Sequence, residues 1–104
     1  MAYTEEQKAL LINQLRRNLE LTFDFLDSES RLDKEQQLGF YIDAAITFIE
    51  REGITLNYAD GGDQMLIVFY AAYLYDKRKD GVSVMPRALR INLNNRLFQE
   101  KINA

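Results

Sequence analysis

Catalysis needs side chains that can hold a proton, a charge or a metal ion where a substrate can meet it. The candidates in this chain are carboxylates and cations: sixteen Asp and Glu, thirteen Lys and Arg, and neither histidine nor cysteine. Without histidine there is no Ser-His or Cys-His pair, no ordinary catalytic zinc site and no proton shuttle near neutral pH. Without cysteine there is no disulfide framework and no thiolate metal site. Two carboxylates could still act as acid and base, but no pair sits in an evidently apolar setting that would drive their pKa values apart. Asp60-Gly-Gly-Asp63 invites comparison with a calcium or phosphate loop. It lacks the alternating ligands and closing glutamate of an EF-hand, and the lysine and hydroxyl residue of a P-loop. It reads as a turn with a helix cap. The chain is therefore expected not to be an enzyme, with no catalytic, cofactor-binding or metal-ligating residues and no cofactor.

The cations are placed unevenly. Residues 1–60 carry six positive and twelve negative side chains. From Lys77 to Lys101 there are seven positive (Lys77, Arg78, Lys79, Arg87, Arg90, Arg96, Lys101) and two negative (Asp80, Glu100). An acidic front and a basic back can be plain solvated surface, or can complement a partner or the next copy of the chain. The run Lys77-Arg78-Lys79 with Arg87, Arg90 and Arg96 could meet phosphates, yet three cations at a helix end also answer the negative pole of that helix. Nucleic-acid recognition would want aromatic or polar residues among the cations on an exposed face, and the aromatics here read as core.

Four helical segments must position these groups. The first runs from about Thr4, a cap, to Leu19, with Glu5 and Glu6 at its positive end, Leu11, Leu15 and Leu19 at helical spacing, and Arg16 and Arg17 near its close. The period then changes: Leu19, Leu21, Phe23 and Phe25 alternate with polar residues at strand spacing. A lone strand has no sheet partner in this chain, so the stretch is helix or irregular structure, or an extended arm that pairs with another subunit. Asp27-Ser-Glu-Ser-Arg-Leu-Asp33 has the composition of a loop. The second helix is expected to start with Asp33 as N-cap and Gln36 as its capping-box partner. Its stripe is Leu38, Ile42, Ala45, Ile46 and Ile49, widened by Tyr41 and Phe48, with Arg51 in the last turn and Gly53 as a left-handed stop.

The third helix starts near Asp60–Asp63 and reaches about Lys79, before a turn at Asp80-Gly81. Its stretch Met65 to Tyr75 is apolar all the way round, which places it at the centre of a bundle, with the hydroxyls of Tyr70, Tyr73 and Tyr75 at the rim. Eleven residues are also too few for a membrane span, which takes about twenty. The N-terminus lacks the layout of a secretory signal, so a soluble protein made in a cytoplasm is expected. The fourth helix opens with Pro86 at its first position. At about 100° per residue, Leu89, Leu93 and Leu97 share one stripe, while Ile91, Phe98 and Ile102 share another about 160° away. One stripe can pack on the chain's own bundle, and the other needs a different cover.

The 104 residues suit one domain with a thin core. The expected fold is all-α: a small four-helix bundle with a central apolar third helix and a C-terminal helix available for subunit contacts. The partner-contact residues assigned from sequence are Arg87, Arg90, Ile91, Arg96, Phe98, Lys101 and Ile102.

Taken in order, these features resemble the small head–tail connector (adaptor) proteins of long-tailed bacteriophages and prophages. The resemblance covers roughly Leu19 to Lys101. It rests on Gln37-Leu-Gly-Phe-Tyr-Ile-Asp-Ala-Ala-Ile-Thr-Phe-Ile-Glu50, on the apolar helix closing in Tyr73-Leu-Tyr-Asp-Lys-Arg78, and on a terminal helix that begins Met85-Pro-Arg-Ala-Leu-Arg90 and ends Asn94-Asn-Arg-Leu-Phe98. The first eighteen residues depart from it, being longer and more helical than the family core. The resemblance implies a structural virion part: a homo-oligomeric ring under the portal, whose isolated subunits are monomers at low concentration, with DNA passing through and a tail-completion or stopper protein docking below. It implies no catalytic residues, and a place in the virion at the head–tail interface after assembly in the bacterial host cytoplasm. The reading set against it is a small helical DNA-binding or regulatory module that uses the basic C-terminal segment.

Overall fold

A computed structural model describes residues 3–19, 27–80 and 84–102, without the side chains of 78–80. Four helices follow one another: α1 (Glu5–Asn18), α2 (Ser28–Arg51), α3 (Gly61–Asp80) and α4 (Arg87–Ile102). The fold is all-α, a small four-helix bundle. No helix among the described residues is long and apolar enough to cross a membrane. The stretch Leu19–Phe25 lies outside the described residues apart from Leu19, which caps the C-terminus of α1.

α1 begins at a reciprocal cap. The Thr4 hydroxyl accepts from the Gln7 N–H at 3.1 Å, and the Gln7 side chain accepts from the Thr4 N–H at 2.9 Å. Two N–H groups that a helix start would leave unpaired are thereby satisfied. Leu11 and Leu15 are buried, with Ile12 and Leu19 packed beside them.

The N-cap of α2 lies six residues before the expected one. Asp27, not Asp33, is the cap, and its carboxylate accepts from the Ser30 N–H at 2.7 Å. That bond holds the Asp27 carboxyl below its ordinary value. Asp33 lies within the helix, accepting from the Gln37 amide one turn on at 3.2 Å. The segment looks like a loop in sequence because residues 27–34 are all exposed and need no apolar stripe. An Asp cap and an early Glu29 suffice to propagate a helix that its later half anchors. That half buries Leu38, Ile42, Ala45, Ile46 and Ile49. The helix ends as expected at Gly53, whose φ of 102° is strained for any residue with a Cβ.

The link to α3 is part of the core. Ile54, Leu56 and Tyr58 are buried while Thr55, Asn57 and Ala59 are exposed, an extended strap with side chains alternating in and out. Asp60 then caps α3, its carboxylate accepting from the Asp63 N–H at 3.0 Å. Asp60-Gly-Gly-Asp63 is thus a turn and cap, and among the described residues no three potential ligands gather into a metal site.

α3 packs on each of the other helices and holds the central position, with Ile67 and Ala71 fully buried. The ring of Tyr70 is buried, stacked on Phe48 (6.0 Å between centroids) and edge-on to Tyr73, and burial raises its phenol pKa above the ordinary value. Tyr73 and Tyr75 stand half-buried near the rim. One expectation fails here: the helix is not covered all round, since Met65 and Phe69, one turn apart, are exposed. Three neighbouring helices in a molecule 18 Å across its thinnest axis leave one edge of a central helix open. Of the turn expected at Asp80-Gly81, Asp80 belongs to α3 and Gly81 lies outside the described residues. α4 starts at Arg87, one residue past the expected position, with the Pro86 carbonyl taking the first helical bond, from the Arg90 N–H.

Candidate interaction surface

The sequence splits α4 into two apolar stripes, and the structure gives them opposite fates. Leu89 and Leu93 are 4% and 0% exposed, and Leu97 packs against the same core. Ile91, Phe98 and Ile102 are 46%, 64% and 64% exposed. The described residues of one chain leave this outer stripe open.

The cations divide along the same line. Arg96 leans inward: its Nε donates to Asp63 Oδ1 at 2.8 Å, and a terminal nitrogen donates to the Thr55 carbonyl at 2.8 Å. Asp63, 4% exposed, also accepts from the Asn57 N–H at 2.9 Å. Glu100, one turn beyond Arg96, accepts from the Thr55 N–H. The Asp63 bond raises the Arg96 pKa, and the Thr55 bond lowers that of Glu100. Together these groups pin α4 to the strap and to the start of α3. Arg90 makes a two-pronged pair with Glu52 at 2.8 and 3.0 Å, which raises its pKa. Arg87 and Lys101, by contrast, are exposed and make no ion pair among the described residues. They border the outer stripe, one near each end.

Of the seven residues assigned from sequence, Arg87, Ile91, Phe98, Lys101 and Ile102 thus form one exposed strip on α4. Arg90 and Arg96 belong to the internal scaffold. Their partners could not be foreseen, because Glu52 and Asp63 stand 38 and 33 residues away along the chain.

Two grooves escaped the sequence reading. Next to the strip, a groove of about 530 Å³ runs between α3 and α4. Met65 and Phe69 border it on one side and the amides of Asn92, Asn95 and Gln99 on the other. On a different pair of helices, α1 and α2 enclose a groove of about 350 Å³. Ile12, Gly39, Leu32 and Phe40 line it, and the last two are 56% and 75% exposed. A Cβ on Gly39 would lie 3.3 Å from Lys8 Cε and 3.5 Å from Ile12 Cδ1, so α1 side chains pack directly over this position. A signal for Phe40 did exist: it lies nine residues before Ile49, about 180° round the helix from the buried stripe.

Charge separates the two surfaces. The α4 strip is bordered by cations. The α1–α2 groove is lined by Glu5, Glu35, Asp43 and Lys8, and Lys8 pairs with Asp43 at 3.0 Å, which leaves the charge of the two glutamates. No protein-family model matches this chain, no curated protein matches it and no solved structure matches it.

Proposed function

We propose that this chain is a structural assembly subunit, and that it serves as a head–tail connector (adaptor): a ring beneath a phage or prophage portal, with DNA passing through and a tail-completion or stopper protein docking on it. One observation carries the proposal. The outer stripe of α4 holds Ile91, Phe98 and Ile102 in the open, while the opposite face of the same helix is pinned inward by leucines and two ion-paired arginines. An isoleucine or phenylalanine gains about 1.5–3 kcal/mol when it passes fully from water into an apolar contact. Three in a row on a rigid helix therefore favour association. The resemblance of the sequence to connector proteins supports this particular assembly.

The test uses the portal protein encoded in the same genome. Mixed with this chain and viewed by negative-stain electron microscopy, portal rings should gain a second ring on one face, and Phe98→Ser should abolish it. Portal rings that stay bare with the unaltered chain overturn the proposal. The competing reading, a DNA-binding module built on the basic segment, is weakened because Arg90 and Arg96 spend their charge on Glu52 and Asp63. Duplex affinity that falls steeply with salt in a gel-shift titration would revive it.

A further inference from the structure

The molecule carries two unlike apolar surfaces, and we propose that they fit one another: the outer strip of α4 seats in the α1–α2 groove of the next copy. This inference rests on the assembly reading above and names the contact that builds the ring.

Three features support the pairing. The first is charge. Arg87 and Lys101 border the strip, whereas the groove keeps the charge of Glu5 and Glu35 once Lys8 has neutralised Asp43. Opposite charges around an apolar contact steer association and fix its register. The second is length. Ile91 to Ile102 on α4 and Leu32 to Asp43 on α2 both span eleven residue steps, about 16 Å at the helical rise. The third is the exclusion of the symmetric alternative. Two α4 strips packed antiparallel would set Arg87 of each copy against Lys101 of the other, like against like. Packed parallel, they would bring cations only to the neutral flank of Asn92, Asn95 and Gln99.

A contact between two different patches of the same chain is heterologous. Repeated from copy to copy, it closes a ring or runs on as a filament, where a symmetric patch stops at a dimer. The acidic front and basic back of the sequence thereby acquire a structural role, as the two sides of one repeated joint.

Charge reversal tests the joint, because a heterologous contact can be rescued in trans. One variant carries Arg87→Glu and Lys101→Glu, and a second carries Glu5→Lys and Glu35→Lys. Circular dichroism verifies that each is folded, and sedimentation equilibrium over a concentration series measures association of the full chain. Each variant alone should associate about tenfold or more weakly than the unaltered chain, since both of its surfaces now bear the same charge. An equimolar mixture should recover, because each strip then meets a groove of opposite sign, and a single chain with all four reversals should recover as well. Phe40→Ser and Phe98→Ser leave the charges intact and should each weaken association, giving a second readout should a reversed chain not fold.

Association that ignores these changes, or that neither the mixture nor the four-fold variant restores, overturns the pairing. So does an unaltered chain that stays monomeric throughout. Rings that still form on the portal in those cases leave the connector reading standing with a different joint, whereas bare portals remove that reading too.

Discussion

The two sides of α4 are built from the same kinds of residue and do opposite things. On the inner side Leu89 and Leu93 vanish into the core, and Arg90 and Arg96 are locked to Glu52 and Asp63. On the outer side Ile91, Phe98 and Ile102 stay in water, bordered by Arg87 and Lys101. Residue type does not separate a scaffold residue from a contact residue here. What separates them is whether the rest of the chain supplies a partner: the shared apolar core for the leucines of α4, a carboxylate for an arginine. Where the chain supplies none, the side chain remains available to something else.

That contrast can be broken by mutation. The largest expected effect is on the inner side, where Leu93→Ala should cost about 2–5 kcal/mol of folding stability by opening a cavity. Urea denaturation measures it, and a loss below about 1 kcal/mol would mean that α4 is not anchored as described. Next comes Arg96→Ala, which strands the Asp63 carboxylate with a single N–H partner and should cost about 1.5–3 kcal/mol in the same assay. Removing the α3 cap by Asp60→Ala should cost about 1 kcal/mol. On the outer side, Phe98→Ser should shift monomer stability by no more than about 0.5 kcal/mol while weakening association. A Phe98→Ser chain that unfolds like Leu93→Ala would erase the distinction between the two sides.

The smallest effect expected is on the dependence of stability on pH. Glu100 and Asp27 have folded-state pKa values below their ordinary ones, through backbone N–H donors at Thr55 and Ser30. A carboxylate depressed in the folded state adds stability above its unfolded pKa, and that contribution fades as pH falls through the folded value. The loss should therefore begin just below pH 4.5 for Glu100 and below pH 3.8 for Asp27, from their ordinary values. Glu100→Gln should flatten the first part of that acid limb in denaturation followed against pH. An unchanged limb would show that the Glu100–Thr55 bond does not hold in solution.

Much of the architecture is written in local pattern. The cap at Thr4, the stop at Gly53, the cap at Asp60 and the two stripes of α4 each depend on residues within a turn or two, and each stands where its spacing places it. The start of α2 was hidden for the same reason in reverse. An exposed polar first half carries no periodic apolar signal, so Asp27 was indistinguishable from the start of a loop. The strap from Ile54 to Tyr58 went unread because its alternation of buried and exposed residues resembles a strand without a sheet.

Composition and spacing were enough to establish four helices, the central place of α3, and an α4 with more apolar surface than one bundle side can take. Those properties depend on near neighbours along the chain, where a helix repeats every 3.6 residues whatever surrounds it. Folding in three dimensions settled which cations are consumed internally, that Met65 and Phe69 lie open, and that α1 and α2 leave a groove rimmed by glutamates. Each of these turns on residues dozens of positions apart meeting or failing to meet, and no periodicity encodes such an encounter. Residue order thus specifies the faces of each helix, and packing selects which of them meets water.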